Sequence, residues 1–182
     1  MKATPTTTIE ALDEASGASW QLFRGDCVEV VRQLPSNSID LAVYSPPFSN
    51  LYTYGPSDRD MGNSVDDGQF LAHYRFLADE LYRVLRPGRL AAIHCKDLVN
   101  YKGRDGMAGL RDFPGDLIRV HLAAGFAYAS KVTIWKSPVT EMTRTKAHGL
   151  LYKQLRADST FSRQGLAEYV IVMRKWANED GD

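Results

Sequence analysis

The sequence predicts an α/β domain: an open, mostly parallel sheet flanked by helices. Three features carry that expectation. Residues 39–44, Ile-Asp-Leu-Ala-Val-Tyr, are an apolar and partly β-branched run that reads as a buried strand. The run stops at Pro46-Pro47, which can neither donate to a strand ladder nor continue one. Phe70, Leu71, Tyr74, Leu77, Leu81 and Leu85 then recur at three- and four-residue intervals, the pattern of one amphipathic helix ending near Pro87-Gly88. Residues 90–95 form a second apolar run, so strand, helix and strand read as a parallel pair with a helical crossover.

The remaining elements follow in order. Residues 1–17 are polar and Thr-rich and are expected to be disordered, with the folded part running from 18 to 176. Residues 19–24 alternate as a strand and end at Gly25-Asp26. Val28, Val31 and Leu34 have the spacing of a short helix, which Asp26 is placed to cap. Pro35 to Ser38 is a turn that feeds the central strand. After that strand, residues 49–56 are a loop carrying Tyr52 and Tyr54, which could close over a flat ligand; packing into the core is the simpler expectation for each ring. Residues 96–113 read as a polar loop with Gly103, Gly106 and Gly109, and match no dinucleotide or P-loop fingerprint. Asp112 and Pro114 open a further helix that Gly125 closes, and residues 126–135 and 169–175 are the last two strands. Residues 177–182 are an acidic tail.

Composition bounds the function. A chain of 182 residues can bury a real core as one domain. Lys plus Arg and Asp plus Glu balance at 22 each, so net charge gives no hint of a nucleic-acid partner, although a local basic patch would suffice. Cys27 and Cys95 lie far apart, outside zinc-type spacing, and read as reduced thiols of a cytoplasmic protein. No stretch approaches the ~20 apolar residues of a membrane span. His73, His94, His121 and His148 occur singly, so no metal site is expected. No Gly-x-Ser-x-Gly elbow surrounds Ser45, which argues against a serine hydrolase.

The end of the central strand is the candidate site. In open α/β sheets ligands bind in the crevice outside the carboxyl ends of the strands. There Ser45 Oγ and the Pro46 carbonyl can accept hydrogen bonds from an exocyclic amine, while Phe48 offers a stacking face; the chemistry suits a flat, nitrogen-bearing ring.

Ser45-Pro46-Pro47-Phe48 resembles the catalytic (Asp/Asn/Ser)-Pro-Pro-(Tyr/Phe) motif of the DNA amino-methyltransferases that modify cytosine N4 or adenine N6. The likeness spans roughly residues 19–176. It includes Gly25-Asp26-Cys27, Arg86-Pro87-Gly88-Arg89, Lys102 to Gly106, Val132 to Lys136 and Glu168 to Val172. The resemblance implies a Rossmann-like fold that uses S-adenosylmethionine, contacted by Asp26, Tyr44 and Ser45. It also implies double-stranded DNA as substrate, with Ser45, Pro46, Pro47 and Phe48 at the chemistry. Lys102 and Arg104 could reach DNA phosphates, although a solvated surface loop is an equal expectation for them. The basic insertion 136–165, with Lys136, Arg144, Lys146, Lys153, Arg156 and Arg163, is the expected DNA-facing surface. A short helix is expected near residues 150–155. Serine at the first motif position favours N4 of cytosine over N6 of adenine. A catalytically idle DNA-binding or anti-restriction module and a methyltransferase of RNA or protein are the alternatives.

Two family features are missing from these residues. In the permuted class, where the Pro-Pro element comes first, a Phe-x-Gly-x-Gly element that cradles the cofactor follows. The family's sheet order is 3-2-1-4-5-7-6, and this sequence supplies candidates for strands 3, 4, 5, 6 and 7 only. One edge of the catalytic strand is therefore expected to be open. A truncated chain, half of a split enzyme with a complementary cofactor-binding chain, or a homodimer that covers the edge would each follow.

Overall fold

The computed structural model describes residues 9–100, 102–107, 109–137, 140 and 167–177. The chain opens with a hairpin of β1 (Asp13–Ser16) and β2 (Gln21–Arg24), paired antiparallel. It continues with α1 (Cys27–Arg32), β3 (Ile39–Tyr44), α2 (Asp67–Val84) and β4 (Leu85–Cys95). A small unit of β5 (Leu98–Asn100), α3 (Lys102–Asp105) and β6 (Gly109–Arg111) precedes α4 (Phe113–Ala123), β7 (Phe126–Ile134) and β8 (Glu168–Lys175).

The main sheet has the order β3-β4-β8-β7. This is the 4-5-7-6 half of the expected order. The strand–helix–strand reading holds: β3 and β4 are parallel, with Tyr44 opposite Ile93. β8 runs antiparallel to both β4 and β7, so the sheet is mixed among the described residues.

Helix α2 begins where Asp66 accepts a hydrogen bond from the Gln69 amide at 2.8 Å. Its stripe of Phe70, Tyr74, Leu77 and Leu81 is buried as the periodicity predicts. With Phe113 and Leu117 of α4 it covers Ala91, Ile93 and Cys95 of β4 and Ile171 and Met173 of β8. Each large apolar side chain so buried contributes about 1.5–3 kcal/mol, which makes this face the stabilising one.

The opposite face is different. Side chains alternate along a strand, so Leu41 and Val43 point away from α2 and α4; they are 56% and 72% exposed. β4 is the one strand paired with β3 among the described residues, which leaves the expected open edge.

Four expectations need correction. Residues 13–16, expected to be loose, form β1. Strand β2 pairs with β1 rather than with the main sheet. Cross-strand charge helps: Arg24 reaches Asp13 at 3.9 Å, and the Gly17 amide closes the turn by donating to the Trp20 carbonyl at 2.9 Å. No loop separates α2 from β4, because strand pairing begins at Leu85 opposite Ile39. Residues 86–89 then bulge before Leu90 pairs with Leu41, with Gly88 at φ 77°. Arg86 and Arg89 both donate to Asp40 of β3 from that bulge, at 2.9, 3.0 and 3.2 Å. Finally, the span 96–113 holds the β5–β6 hairpin and α3 rather than a plain loop. No described helix is long and apolar enough to cross a membrane.

Candidate active site

Ser45 stands at the carboxyl end of β3, exposed, and Pro46 behind it is buried. Because the sheet register sets Tyr44 beside Ile93, Ser45 meets His94 at the corresponding end of β4. Ser45 Oγ lies 3.2 Å from the His94 carbonyl oxygen and 3.3 Å from His94 Nδ1. His94 Nε2 lies 2.9 Å from Glu168 Oε2 at the start of β8, and Lys136 Nζ holds the other carboxylate oxygen at 3.1 Å. Burial pushes the Glu168 carboxyl up, but hydrogen bonds from His94 and Lys136 outweigh it and hold the group below the usual carboxylate range. Three strand ends thus meet in one polar line.

Phe48 lies on one side of this line. Its ring is half-buried, 6.2 Å from the His94 ring and edge-on to Phe113 at 6.2 Å. The Lys96 ammonium sits 5.9 Å from its centre. Ser49 follows at φ 54°, fully buried, with its hydroxyl on Asp67, which Arg111 also grips. That contact ties the turn after the Pro-Pro pair to α2 and β6.

A cavity of about 970 Å³ borders Ser45, and Phe48 is not in its wall. Its wall includes Ser45, Pro46 and Pro47 together with Asp26, Val28, Phe76, Leu77 and Leu81. Asp26 and Ser45 thus border one cavity, and the Asp26 carboxylate divides its contacts. Oδ1 caps α1, accepting from the Val28 and Glu29 amides at 2.9 and 3.3 Å, and Oδ2 takes Arg59 Nε at 2.7 Å. Burial pushes this carboxyl up, yet the Arg59 guanidinium and the two amides bring it below its ordinary value.

Tyr44 borders the cavity, but its hydroxyl is turned inward. It lies 2.7 Å from the Tyr74 hydroxyl and 2.9 Å from His121 Nε2. Both of those neighbours use the Tyr44 oxygen. Tyr52 and Tyr54 are exposed and face each other at 6.5 Å, so the expectation that they pack into the core fails.

The cationic candidates divide. Lys102 and Arg104 are exposed on α3, where Arg104 is paired with Asp105 at 2.9 Å. Lys136 is paired with Glu168 at 3.1 Å. Arg144, Lys146, Lys153, Arg156 and Arg163, and the helix expected near 150–155, lie outside the described residues. Sequence reading missed His94, Glu168 and Arg59. The parallel reading of residues 39–44 and 90–95, which sets their carboxyl ends side by side, could have found His94, but nothing local marks the other two.

No family model matches the chain. A 72-residue stretch is 40% identical to the type II methyltransferase M.Cfr9I of Citrobacter freundii, covering 40% of this chain and 23% of that one. A 70-residue stretch is 33% identical to M.BamHI of Bacillus amyloliquefaciens, covering 37% and 15%. The chain thus spans less than a quarter of the length of these curated relatives. Among solved structures, a DNA modification methylase of Thermus thermophilus in complex with S-adenosyl-L-methionine superposes with a TM-score of 0.60. The identity is 22%, over 87% of this chain and 54% of that one. The cytosine-N4-specific PvuII DNA methyltransferase gives 0.55 at 17% identity, over 87% and 50%. The fold is that of the S-adenosylmethionine-dependent methyltransferases.

Proposed function

We propose that this chain, which shares its fold and local sequence similarity with DNA methyltransferases, is the catalytic part of such an enzyme. It transfers a methyl group from S-adenosylmethionine to the exocyclic amine of an extruded base in double-stranded DNA, cytosine N4 in preference to adenine N6. The observation that carries this reading is the position of Ser45, at a strand end where it borders a large cavity and meets His94, against whose ring Phe48 lies.

The cavity fits the methyl donor chemically. Phe76 is exposed on α2 and borders the cavity with Val28, Leu77 and Leu81, giving an apolar wall for a ring. Asp26, Glu29, Asp58 and Asp60 face Arg32 and Arg59 along the wall, an acidic excess that suits a positive sulfonium. When bound, S-adenosylmethionine supplies an electrophilic methyl group. The residues of this chain would do the rest. Phe48 stacks on the flipped base, which cannot be reached inside the duplex. Ser45 Oγ and the Pro46 carbonyl accept the two amine hydrogens and so aim the nitrogen lone pair across Ser45 toward the cavity. Rate then comes from proximity and from fixed acceptors, with no covalent intermediate on the protein. The preference for cytosine rests on serine at position 45.

The experiment is incubation of the purified chain with S-adenosylmethionine and unmethylated duplex DNA, followed by nucleoside mass spectrometry. N4-methylcytosine is expected. N6-methyladenine would overturn the base assignment, and no modified base would overturn activity of the chain by itself.

A further inference from the structure

Ser45, His94 and Glu168 form a line of three side chains whose hydrogen-bond order can be deduced. Glu168 is a carboxylate, so it accepts, and His94 Nε2 must carry the proton across the 2.9 Å contact. A neutral imidazole then has a bare Nδ1. Among the described residues the acceptors within reach of the Ser45 hydroxyl are both on His94, the carbonyl oxygen at 3.2 Å and Nδ1 at 3.3 Å. That leaves the lone pairs of Ser45 Oγ free to receive a hydrogen from outside.

Methylation of an amine creates a need that this order meets. A nitrogen that gains a methyl group becomes cationic and must lose one proton. We propose that Ser45, His94 and Glu168 are a proton relay, in which His94 acts through Ser45 to take that proton. The amine N–H bond breaks, and its electron pair stays on nitrogen. The proton goes to Ser45 Oγ while the serine's own proton crosses to His94 Nδ1. The imidazolium so formed is balanced by Glu168, which Lys136 holds in place at 3.1 Å. His94 is partly open to solvent, so the proton then leaves to water. The charged groups around the imidazole are Glu168 of β8, Lys136 behind that carboxylate, and Lys96 beside the Phe48 ring against which His94 lies. His94 is a positioning residue, because Ser45 stands between it and the base. The inference rests on the proposed methyl transfer but reaches a pair of residues that the motif itself does not contain.

Two measurements test it. The first needs no turnover: nitrogen-15 spectra of histidine-labelled chain report which ring nitrogen of His94 carries the proton. The neutral form is expected to be protonated at Nε2, and Glu168→Gln is expected to give a mixture of both forms. A proton on Nδ1 in the unaltered chain would overturn the relay. The second is single-turnover methylation of duplex DNA against pH. His94→Gln, which can hold Ser45 but cannot take a proton, is expected to slow transfer about 10²-fold. Affinity for DNA and for the methyl donor should change less than twofold. The native rate should fall toward acid pH, and that fall should vanish in the variant. A variant within twofold of the native rate, or one that keeps the acid limb, would overturn the proposal. A native chain that methylates no base would sink the proposed function instead, and the tautomer would still decide whether the line is ordered to accept a proton.

Discussion

Tyr44 Oη lies 2.9 Å from Nε2 of the fully buried His121, and the direction of that hydrogen bond is fixed. His121 Nδ1 donates to the Leu117 carbonyl at 2.8 Å, so Nε2 is bare and accepts from Tyr44. The Tyr44 oxygen in turn accepts from Tyr74 at 2.7 Å. This chain of bonds fastens the last residue of β3 to α2 and α4, and so fixes where Ser45 begins. Tyr44→Phe would leave His121 and Tyr74 each short of one buried partner. The expected cost is about 1–3 kcal/mol of stability, read from urea unfolding. A change near zero would mean that the two groups find other partners.

The same histidine gives a pH dependence. Burial holds His121 below its ordinary value, more strongly than the Leu117 carbonyl raises it, so the folded chain keeps it neutral. In the unfolded chain it takes up a proton near pH 6.5. Below that value the unfolded state binds more protons than the folded one, so stability falls as pH drops until the lowered folded value is reached. Above about pH 6.5 the loss is absent. Unfolding free energies between pH 5 and 8 should show this slope in the native chain and a flatter one in His121→Gln.

The two faces of the sheet should respond differently to mutation. Val43 is 72% exposed, whereas Ile93 on the neighbouring strand is fully buried against α2 and α4. Val43→Ser is expected to change stability by no more than about 0.5 kcal/mol. Ile93→Ala should cost about 2–5 kcal/mol, the transfer and cavity cost of a core truncation. A large loss at Val43 would show that residues outside those described here cover that face.

Much of the fold was legible because local chemistry and tertiary demand agree. The stripe Phe70, Tyr74, Leu77 and Leu81 reports helix and buried face at once, and Asp112 with Pro114 marks a helix start whichever sheet lies beneath. Residues 13–16 were misread because their pairing with Gln21 to Arg24 depends on a turn, not on apolar alternation. The site was legible where it is contiguous, in Ser45 to Phe48. Glu168 was not, since it reaches His94 only because β8 inserts beside β4, a juxtaposition that no spacing along the chain encodes.

Ser45 and Phe48 offer a test of site against scaffold. Ser45 is exposed at its strand end and Phe48 is only half-buried, so neither carries much of the core. Ser45→Ala is expected to cost less than about 0.5 kcal/mol and Phe48→Ala about 1–2 kcal/mol, a fraction of a full core truncation. Both should lower methyl transfer by 10²-fold or more, on the order of the loss of one fixed transition-state hydrogen bond. Matched losses of folding and activity would return both residues to the scaffold.

Asp26 separates two roles within one carboxylate. Its Oδ1 caps α1 and its Oδ2 faces Arg59 at the cavity wall. Asparagine caps a helix about as well as aspartate, so Asp26→Asn should leave stability within about 0.5 kcal/mol, while Asp26→Ala should lose about 1 kcal/mol. At the cavity, asparagine removes the negative charge and, with an NH2 in place of Oδ2, the acceptor for Arg59 Nε. If that charge serves a positive sulfonium, both variants should bind S-adenosylmethionine about tenfold more weakly, a difference of about 1.4 kcal/mol by calorimetry. The stability gap between the native chain and Asp26→Ala should also have an acid limb. The folded carboxyl titrates below its ordinary value, so its contribution is complete above about pH 4 and is lost as pH falls through the folded value. Unchanged donor affinity in Asp26→Asn would confine Asp26 to capping and leave donor recognition to the rest of the cavity wall.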